Sequence, residues 1–256
     1  SRGYGADPET GVDDENEMLT QTARTATVHV NPDRLAGAHE AVTAGADVLV
    51  MDDGFQHRRL ARDLDVVLID DTAPLGGEWM LPRGLLREPL RGLRRADFIV
   101  LTRCNLVKPA ALTDIKARLE QLAPGVPQAR CMTQIRSLRP LGGAAPLEPV
   151  ALSRGNWLAF CGIGNPGGFH ATLQQAGCEP TRFLAFADHE PYNREGVNRL
   201  LTQAREAGCR ALVCTEKDAV KVKRLLAPHS SPPVYAVQTE LEFGKGGSRF
   251  VAAILQ

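Results

Sequence analysis

The sequence lacks several features that would point to particular classes of protein. Its apolar runs fall well short of the roughly 20 residues that a membrane-spanning helix needs. The 30 basic residues balance the 30 acidic ones, so the net charge gives no sign of a nucleic-acid partner. The six cysteines form no C-x-x-C pair, which argues against zinc and favours buried free thiols. No G-x-S-x-G motif is present, and a Ser/His/Asp hydrolase is therefore unsupported.

The chain is long enough for one large or two modest domains. It has 256 residues, of which 43% are apolar and 23% charged, as is typical of a soluble globular protein. Charge is nevertheless uneven along the chain. Residues 1–20 are mostly acidic, and residues 82–103 carry six arginines against only Glu88 and Asp97. Such an arginine cluster suits phosphate groups or an anionic surface, with a solvated helix face as the alternative.

The stretch 46–59 is the most informative part of the sequence. Its apolar run ends abruptly in Asp52, Asp53 and Gly54. A short apolar run between polar residues predicts a buried parallel strand over 46–51, and open α/β sheets place ligands at the carboxyl ends of such strands. Two carboxylates at that point suit a hard cation such as Mg²⁺, whereas an Asx-type turn is the alternative.

Strand-like and helix-like segments alternate along most of the chain. The predicted strands are 25–30, 46–51, 64–69, 98–102, 157–161, 183–186, 211–214 and 234–237. The predicted helices are 31–44, 109–122, 166–176 and 193–207, with a further helix opening after 215 and a helix or strand at 249–255. Asn31 is the candidate N-cap of the first helix, with Pro32 at the first helical position. The alternation predicts an α/β fold with a mostly parallel sheet and helices on both faces.

Residues 124–155 interrupt this pattern. They are rich in proline and glycine and are interpreted as a connector, with room for a pair of strands. The predicted domains are therefore a core at 1–123, the connector at 124–155 and a smaller second α/β domain at 156–256.

A glycine-rich turn follows the strand predicted at 157–161. Gly162, Gly164 and Gly167 match G-x-G-x-x-G, which is the pattern that admits a dinucleotide pyrophosphate to a helix N-terminus. Asp188 closes the next predicted strand, roughly where the ribose-binding acid of that motif is expected. The alternative is a tight strand-to-helix turn with Pro166 at the first helical position.

Two more polar clusters follow predicted strands. Asp188 and His189 place an imidazole beside a carboxylate, which suits proton transfer. Glu216, Lys217 and Asp218 follow the strand at 211–214. Together with the stretch 46–59, these clusters suggest a cleft between two domains.

Several segments together resemble the tetraacyldisaccharide 4′-kinase family, the lipid A kinases of Gram-negative bacteria. Segment 52–63 resembles the family's most specific motif. Further matches occur in the family's order at 1–5, 14–15, 81–82, 86–88, 162–164, 188–189 and 215–221. The resemblance implies a P-loop kinase core with a smaller second α/β domain. It also implies transfer of the ATP γ-phosphate to the 4′-hydroxyl of a tetraacylated glucosamine disaccharide 1-phosphate.

The resemblance assigns roles to residues at several of these segments. Asp52 and Asp53 correspond to the pair that holds Mg²⁺, and Asp14 with His189 corresponds to a dyad that deprotonates the 4′-hydroxyl. The residues implied in substrate binding, including contacts to the 1-phosphate or lipid headgroups, are Arg87, Arg83, Gln56, His57 and Arg58. The other expected cleft residues are Arg2, Glu15, Glu216, Lys217 and Asp218.

The sequence also departs from the family's pattern. The family's Walker A loop, G-x-x-x-x-G-K-[ST], precedes the segment matched by 1–5, so the chain is expected to be a fragment or truncation with little or no kinase activity of its own. Residues 13–16 and 82–88 differ in detail from the family's usual residues. The expected partners are ATP, Mg²⁺, the acylated disaccharide lipid and the membrane surface, without nucleic acid. The expected location is peripheral, at the cytoplasmic face of the bacterial inner membrane.

Two other functions are compatible with the residues. One is an NAD-dependent oxidoreductase that uses the turn formed by Gly162, Gly164 and Gly167. The other is a non-catalytic remnant that binds lipid A precursors or a partner protein.

Overall fold

The computed structural model describes residues 18–20, 23, 25–84, 86–188, 191–227 and 230–255. Within these residues the helices are α1 (Arg34–Thr43), α2 (Pro109–Leu122), α3 (Pro166–Gln175), α4 (Arg194–Glu206), α5 (Glu216–Lys223) and α6 (Gly247–Ile254). The strands are β1 (Val66–Asp70), β2 (Phe98–Thr102), β3 (Gln128–Pro140), β4 (Trp157–Cys161), β5 (Arg182–Ala185), β6 (Ala211–Thr215) and β7 (Val234–Phe243).

The chain divides into two compact units. The first unit comprises Ser1–Leu49 with Ile135–Glu240, and the second comprises Val50–Gln134 with Leu241–Gln256. The long strands β3 and β7 each contribute residues to both units. The division into domains at 1–123, 124–155 and 156–256 stays a prediction.

The second unit is built on parallel strands in the order β1-β2-β3. Successive residues of a strand face opposite sides, and both sides of β2 are buried. Ile99 and Leu101 pack with the α2 residue Leu119 on one side. Phe98 packs against Phe250 of α6 on the other, with ring centroids 5.1 Å apart. This two-sided burial explains why β2 is a continuous apolar run.

The first unit follows the same plan with parallel strands in the order β7-β6-β4-β5. Leu158 and Phe160 face the cluster that contains Val197 of α4. Trp157 and Ala159 face the opposite cluster, which includes residues of α3. The predicted α/β fold, with mostly parallel strands and helices on both faces, is confirmed.

The helix caps explain where several helices begin. Asn165, Asn193 and Thr215 accept backbone N–H bonds at the start of α3, α4 and α5. The predicted cap of the first helix was wrong, because Asp33 and not Asn31 caps α1. The Asn31 side chain accepts instead from the Asp33 N–H at 2.9 Å, which turns the chain before the helix starts.

The strands predicted at 25–30 and 46–51 are absent from the structure. The second of them is also solvent-accessible, with Val48 78% and Val50 93% exposed, so the predicted buried strand was wrong. A strand exists only as part of a hydrogen-bonded pair, and an apolar run does not supply its own partner. Among the described residues no strand pairs with 46–51, and the edge strand β1 pairs only with β2.

Other predicted elements agree closely with the structure. The strands at 98–102 and 157–161 and the helix at 109–122 are confirmed residue for residue. The open choice at 249–255 is settled as a helix, α6. The whole 13-residue strand β3 lies within 124–155, the segment predicted to be a connector, and it pairs with β2.

All six cysteines are free and buried, as the sequence predicted. Within the described ranges, no helix has both the length and the apolar character that crossing a membrane would require.

The exposure of residues 48–51 is testable by placing a charge there. Val50→Asp should change the free energy of unfolding by less than about 0.5 kcal/mol, because the side chain stays in water. Val100→Asp, at a site only 2% exposed, should lower it by about 4 kcal/mol or more, since the charge would be buried without a partner. Urea denaturation followed by circular dichroism gives both values. If Val50→Asp lowered the free energy of unfolding by several kcal/mol, the result would contradict the exposed position of Val50 and favour the buried strand predicted from the sequence.

Candidate active site

In the second unit, Asp53 contacts an arginine that lies 34 residues further along the chain. The Arg87 guanidinium donates to the Asp53 carboxylate, and the two side chains are 60% and 49% exposed. Asp53 has a φ of 48°, in the left-handed region that Asp tolerates better than most residues. The chain therefore turns at Asp53. The preceding residue, Asp52, has an exposed side chain. The ion pair joins segment 52–63, which resembles the family's most specific motif, to segment 86–88, which is another of the matched segments.

A second contact joins the same two segments through Glu88. The Gln56 amide donates to Glu88 Oε1 at 3.0 Å, and Arg95 donates to the same oxygen at 2.9 Å. The Arg95 ion pair is the main cause that holds the pKa of Glu88 below its usual range. The Arg95 guanidinium also lies 4.5 Å from the centre of the Phe55 ring. Gln56 therefore fixes the segment rather than presenting a free amide.

His57 and Arg58 differ in accessibility. The His57 backbone N–H donates to Gly54 O at 2.8 Å, which closes a turn. Its ring Nε2 is buried and has no hydrogen-bond partner among the described residues. The Arg58 side chain is exposed, and its charge also lowers the pKa of Glu88. Of the two, Arg58 is the residue placed to meet a ligand in solution.

Two carboxylates, Asp70 and Asp71, stand at the end of β1 and belong to none of the predicted sites. The Asp70 side chain accepts from Arg103 and from the Thr72 hydroxyl. Asp71 is 5% exposed, and neither of its carboxylate oxygens has a hydrogen-bond partner in the described part of the chain. Burial raises the pKa of Asp71, and burial beside that carboxylate raises the pKa of Cys104 to about 12.

In the first unit, Asp218 is the centre of a buried hydrogen-bond network. Its side chain is 0% exposed, and it accepts from Gly162 N at 3.0 Å, Tyr192 Oη at 3.0 Å and Thr215 Oγ1 at 2.6 Å. Gly162 follows β4, Tyr192 follows β5 and Thr215 ends β6. One carboxylate therefore ties together the ends of three strands. Burial raises its pKa, although the three donors oppose the shift.

Asp218 was expected to line the cleft, and the structure buries it instead. Its sequence neighbours Glu216 and Lys217 are partly buried. Thr215 and Asp218 have the spacing of an N-terminal capping box, and this spacing is the sequence signal that could have identified the buried role. Glu216 accepts from Gln238 at 3.3 Å.

Lys217 contacts Asp188, and its own side chain is only 15% exposed. Lys217 Nζ lies 3.3 Å from Asp188 Oδ1, and the Asp188 side chain is 47% exposed. A Cβ added to Gly164 would lie 3.3 Å from Asp188 Oδ2, so the glycine lets the loop approach closely. Asp188, Lys217 and the turn at Gly164 are thus neighbours in one polar patch.

The glycine-rich turn is closed by the protein's own side chains. The Gly162 N–H is bonded to Asp218, and Asn165 caps α3 by accepting from Gly168 N at 2.9 Å. Pro166 occupies the first helical position. The amides that a pyrophosphate would use are in part already taken. This favours the tight turn over the dinucleotide site.

Four of the predicted site residues lie outside the described residues. They are Arg2, Asp14, Glu15 and His189. Arg83 is described and exposed, with its guanidinium carbon 3.5 Å from the centre of the Trp79 ring.

The architecture defines the class of protein first. An apo-form LpxK from Aquifex aeolicus, solved in complex with ATP, is similar to this chain with a TM-score of 0.59 and 24% sequence identity. The similarity covers 88% of this chain and 62% of that one. At this identity the likeness is one of fold, so the chain is an α/β protein with the fold of that structure.

Sequence comparison then gives the family. The model of the tetraacyldisaccharide-1-P 4′-kinase family matches residues 1–256. A tetraacyldisaccharide 4′-kinase of Anaeromyxobacter sp. (strain K) is 36% identical over 275 residues, covering 99% of this chain and 71% of the relative. One from Geobacter metallireducens is 39% identical over 181 residues, or 71% of this chain and 51% of that relative. The chain belongs to the tetraacyldisaccharide-1-P 4′-kinase family, and it spans about half the length of the Geobacter relative.

The Asp218 network predicts different outcomes for two substitutions. Asp218→Ala should lower the free energy of unfolding by about 3 kcal/mol, because it leaves the Gly162 N–H and the Tyr192 hydroxyl buried without an acceptor. Asp218→Asn should stay within about 1 kcal/mol of the wild type, since its carbonyl still accepts and its amide can donate to Thr215. Urea denaturation at neutral pH measures both.

The same pair of proteins tests the charge state of Asp218. Its folded-state pKa is raised above the ordinary 3.8, so its contribution to stability is complete below that value and is lost as the pH rises through the folded pKa. Lowering the pH from neutral to about 4, close to the ordinary value, should therefore stabilise the wild type relative to Asp218→Asn. A difference that stays constant or reverses over this whole range would contradict the assignment of a raised pKa.

Proposed function

We propose that this chain acts in ATP-dependent phosphorylation of the 4′-hydroxyl of a tetraacylated glucosamine disaccharide 1-phosphate, a step of lipid A biosynthesis. The observation that carries the proposal is the family match over residues 1–256. The contacts of Asp53 with Arg87 and of Gln56 with Glu88 support it, because they join the family's most specific motif, 52–63, to another matched segment, 86–88. The solved relative binds ATP, and its fold is shared.

Asp52 and Asp53 are the residues proposed to hold Mg²⁺. Both side chains are exposed, and carboxylate oxygens are ligands of the kind that this cation prefers. The described residues contain no cluster of three metal-binding side chains, which agrees with Mg²⁺ sites that use one or two carboxylates and complete their ligands with phosphate and water. When bound, the cation would neutralise charge on the transferred phosphate.

Arg87 is proposed to exchange partners when the substrate binds. Its guanidinium donates to Asp53 in the free protein, and a phosphate offers a stronger, bidentate acceptor. Movement of Arg87 to a phosphate would release the Asp53 carboxylate for the cation. Arg58 and Arg83 are further exposed cations that can bind phosphate or a lipid headgroup.

The proton of the 4′-hydroxyl needs an acceptor. By family resemblance this is His189, paired with Asp14. Asp188 and Tyr192 flank the position of His189 in sequence, and both are tied to α5 through Lys217 and Asp218. The network around Asp218 would therefore hold the ends of this loop during proton transfer.

The proposed function also implies a location for the enzyme. A tetraacylated substrate resides in a bilayer, so the enzyme would work at the cytoplasmic face of the bacterial inner membrane as a peripheral protein. The expectation that residues 1–256 alone have little kinase activity also stays a prediction.

A transfer assay tests the proposal with a matched set of arginine variants. The assay contains radiolabelled ATP, Mg²⁺ and the disaccharide lipid in detergent micelles. It is run with the protein encoded by the full reading frame that contains this sequence, and separately with residues 1–256 alone. Arg87→Gln and Asp53→Asn should each lower kcat/KM by about a hundredfold or more, because both groups position the phosphate or the cation. The control Arg154→Gln, also an exposed arginine, should keep wild-type activity.

The two single variants and their combination also test the partner exchange. If Arg87 and Asp53 act in one step, the double variant should be little worse than either single one. Strictly additive losses would contradict the exchange. Wild-type transfer by Asp53→Asn and Arg87→Gln would contradict the site itself.

A further inference from the structure

In the second unit, the described residues between Trp79 and Leu86, which are 79–84 and 86, form a loop. Leu81 N donates to Leu86 O at 3.0 Å, and Leu86 N donates to Trp79 O at 3.1 Å. Gly84 N donates to Met80 O, and a Cβ at Gly84 would lie 2.2 Å from the Trp79 carbonyl oxygen. The backbone of the loop is therefore held by its own hydrogen bonds and needs glycine at its tightest point.

This loop directs three consecutive apolar side chains into solvent. Trp79 is 52% exposed, Met80 46% and Leu81 61%. Single exposed apolar residues are ordinary, but a run of three large ones forms a patch of the kind found at interaction sites. The backbone hydrogen bonds of the loop fix the main chain that carries these three side chains, and in this conformation the side chains are exposed.

One arginine lies at this patch, and four more follow it in the sequence up to residue 95. The Arg83 guanidinium lies over the Trp79 ring at 3.5 Å, and residues 79–95 carry five arginines against one glutamate. That glutamate, Glu88, is already bonded to Arg95. The neighbouring Glu78 is paired with Arg118 at 3.0 Å. The carboxylates near the patch are thus neutralised, and its net charge is positive.

We propose that the Trp79–Met80–Leu81 patch, with Arg83, is a docking surface for an anionic lipid bilayer. Trp and Arg both favour the bilayer interface, where a ring or an aliphatic stem is buried and the polar end stays wet. Met80 and Leu81 gain by entering the acyl region, and the arginines gain from anionic headgroups. A nucleic acid fits less well, because its bases stack on aromatic faces while two of the three side chains are aliphatic and Arg83 covers one face of Trp79.

The proposal rests on the proposed function in one respect, since a lipid substrate gives the enzyme a reason to bind a bilayer. It is more specific, because it names the patch that makes contact. It is also separable, because bilayer binding needs neither ATP nor the disaccharide.

The chain contains a convenient reporter for this contact. Of its two tryptophans, Trp157 is 0% exposed and Trp79 is exposed. The difference between wild-type and Trp79→Phe emission spectra therefore isolates Trp79. We expect that difference spectrum to shift to shorter wavelength with vesicles of equal parts phosphatidylcholine and phosphatidylglycerol, and to remain unchanged with phosphatidylcholine alone. A spectrum unmoved by anionic vesicles, or one already at short wavelength in buffer, would overturn the proposal.

Vesicle sedimentation with a matched pair of double variants completes the test. Trp79→Ser with Arg83→Gln should lower the partition coefficient onto anionic vesicles about tenfold, whereas Val150→Ser with Arg154→Gln, an exposed apolar and arginine pair elsewhere, should change it by less than about twofold. Equal binding by the two double variants would overturn the proposal, as would binding to a single-stranded oligonucleotide without vesicle binding. If vesicle binding follows the expected pattern but the micelle assay shows no transfer, the docking surface stands and the proposed function fails.

Discussion

A single buried carboxylate organises the polar end of the first unit. Asp218 satisfies donors that belong to the turn after β4, the loop after β5 and the end of β6, and each of these would otherwise be buried without a partner. Lys217 and Asp188 contact each other beside this network, with side chains that are 15% and 47% exposed. The positions of Gly162, Tyr192 and Thr215 in this unit are therefore fixed by a side chain that solvent does not reach.

The second unit uses exposed ion pairs for a similar purpose, with a different consequence. Asp53 and Arg87 are about half exposed, so their pairing is weak in free energy and open to competition from a phosphate. Glu88 is more enclosed, and its bonds to Gln56 and Arg95 would hold the two segments together during the proposed exchange of partners by Arg87. A fixed contact beside an exchangeable one allows the site to rearrange without losing its framework.

The sequence predicted the elements whose burial is two-sided or periodic. The strands at 98–102 and 157–161 and the helix at 109–122 carry this signal within their own residues. The run at 46–51 carries it too, but a strand depends on a partner that local pattern cannot supply. The site contains both kinds of residue: the spacing of Thr215 and Asp218 marks Asp218 as a helix-capping residue, whereas nothing local indicates that Lys217 contacts Asp188. The pairing of Asp53 with Arg87 spans 34 residues and has no local signal.

The two units contain different numbers of cysteines, so alkylation of the thiols can distinguish the opening of one unit from the opening of the other. Cys104 and Cys131 belong to the second unit, and Cys161, Cys178, Cys209 and Cys214 to the first. Burial raises the pKa of Cys161 to about 12 and that of Cys178 to about 11, so the native thiols react slowly with alkylating reagents. Mass spectrometry after a short alkylation pulse would then show two adducts when only the second unit opens, and four when only the first does. The mass of the alkylated chain would thus show which of the two units unfolds first.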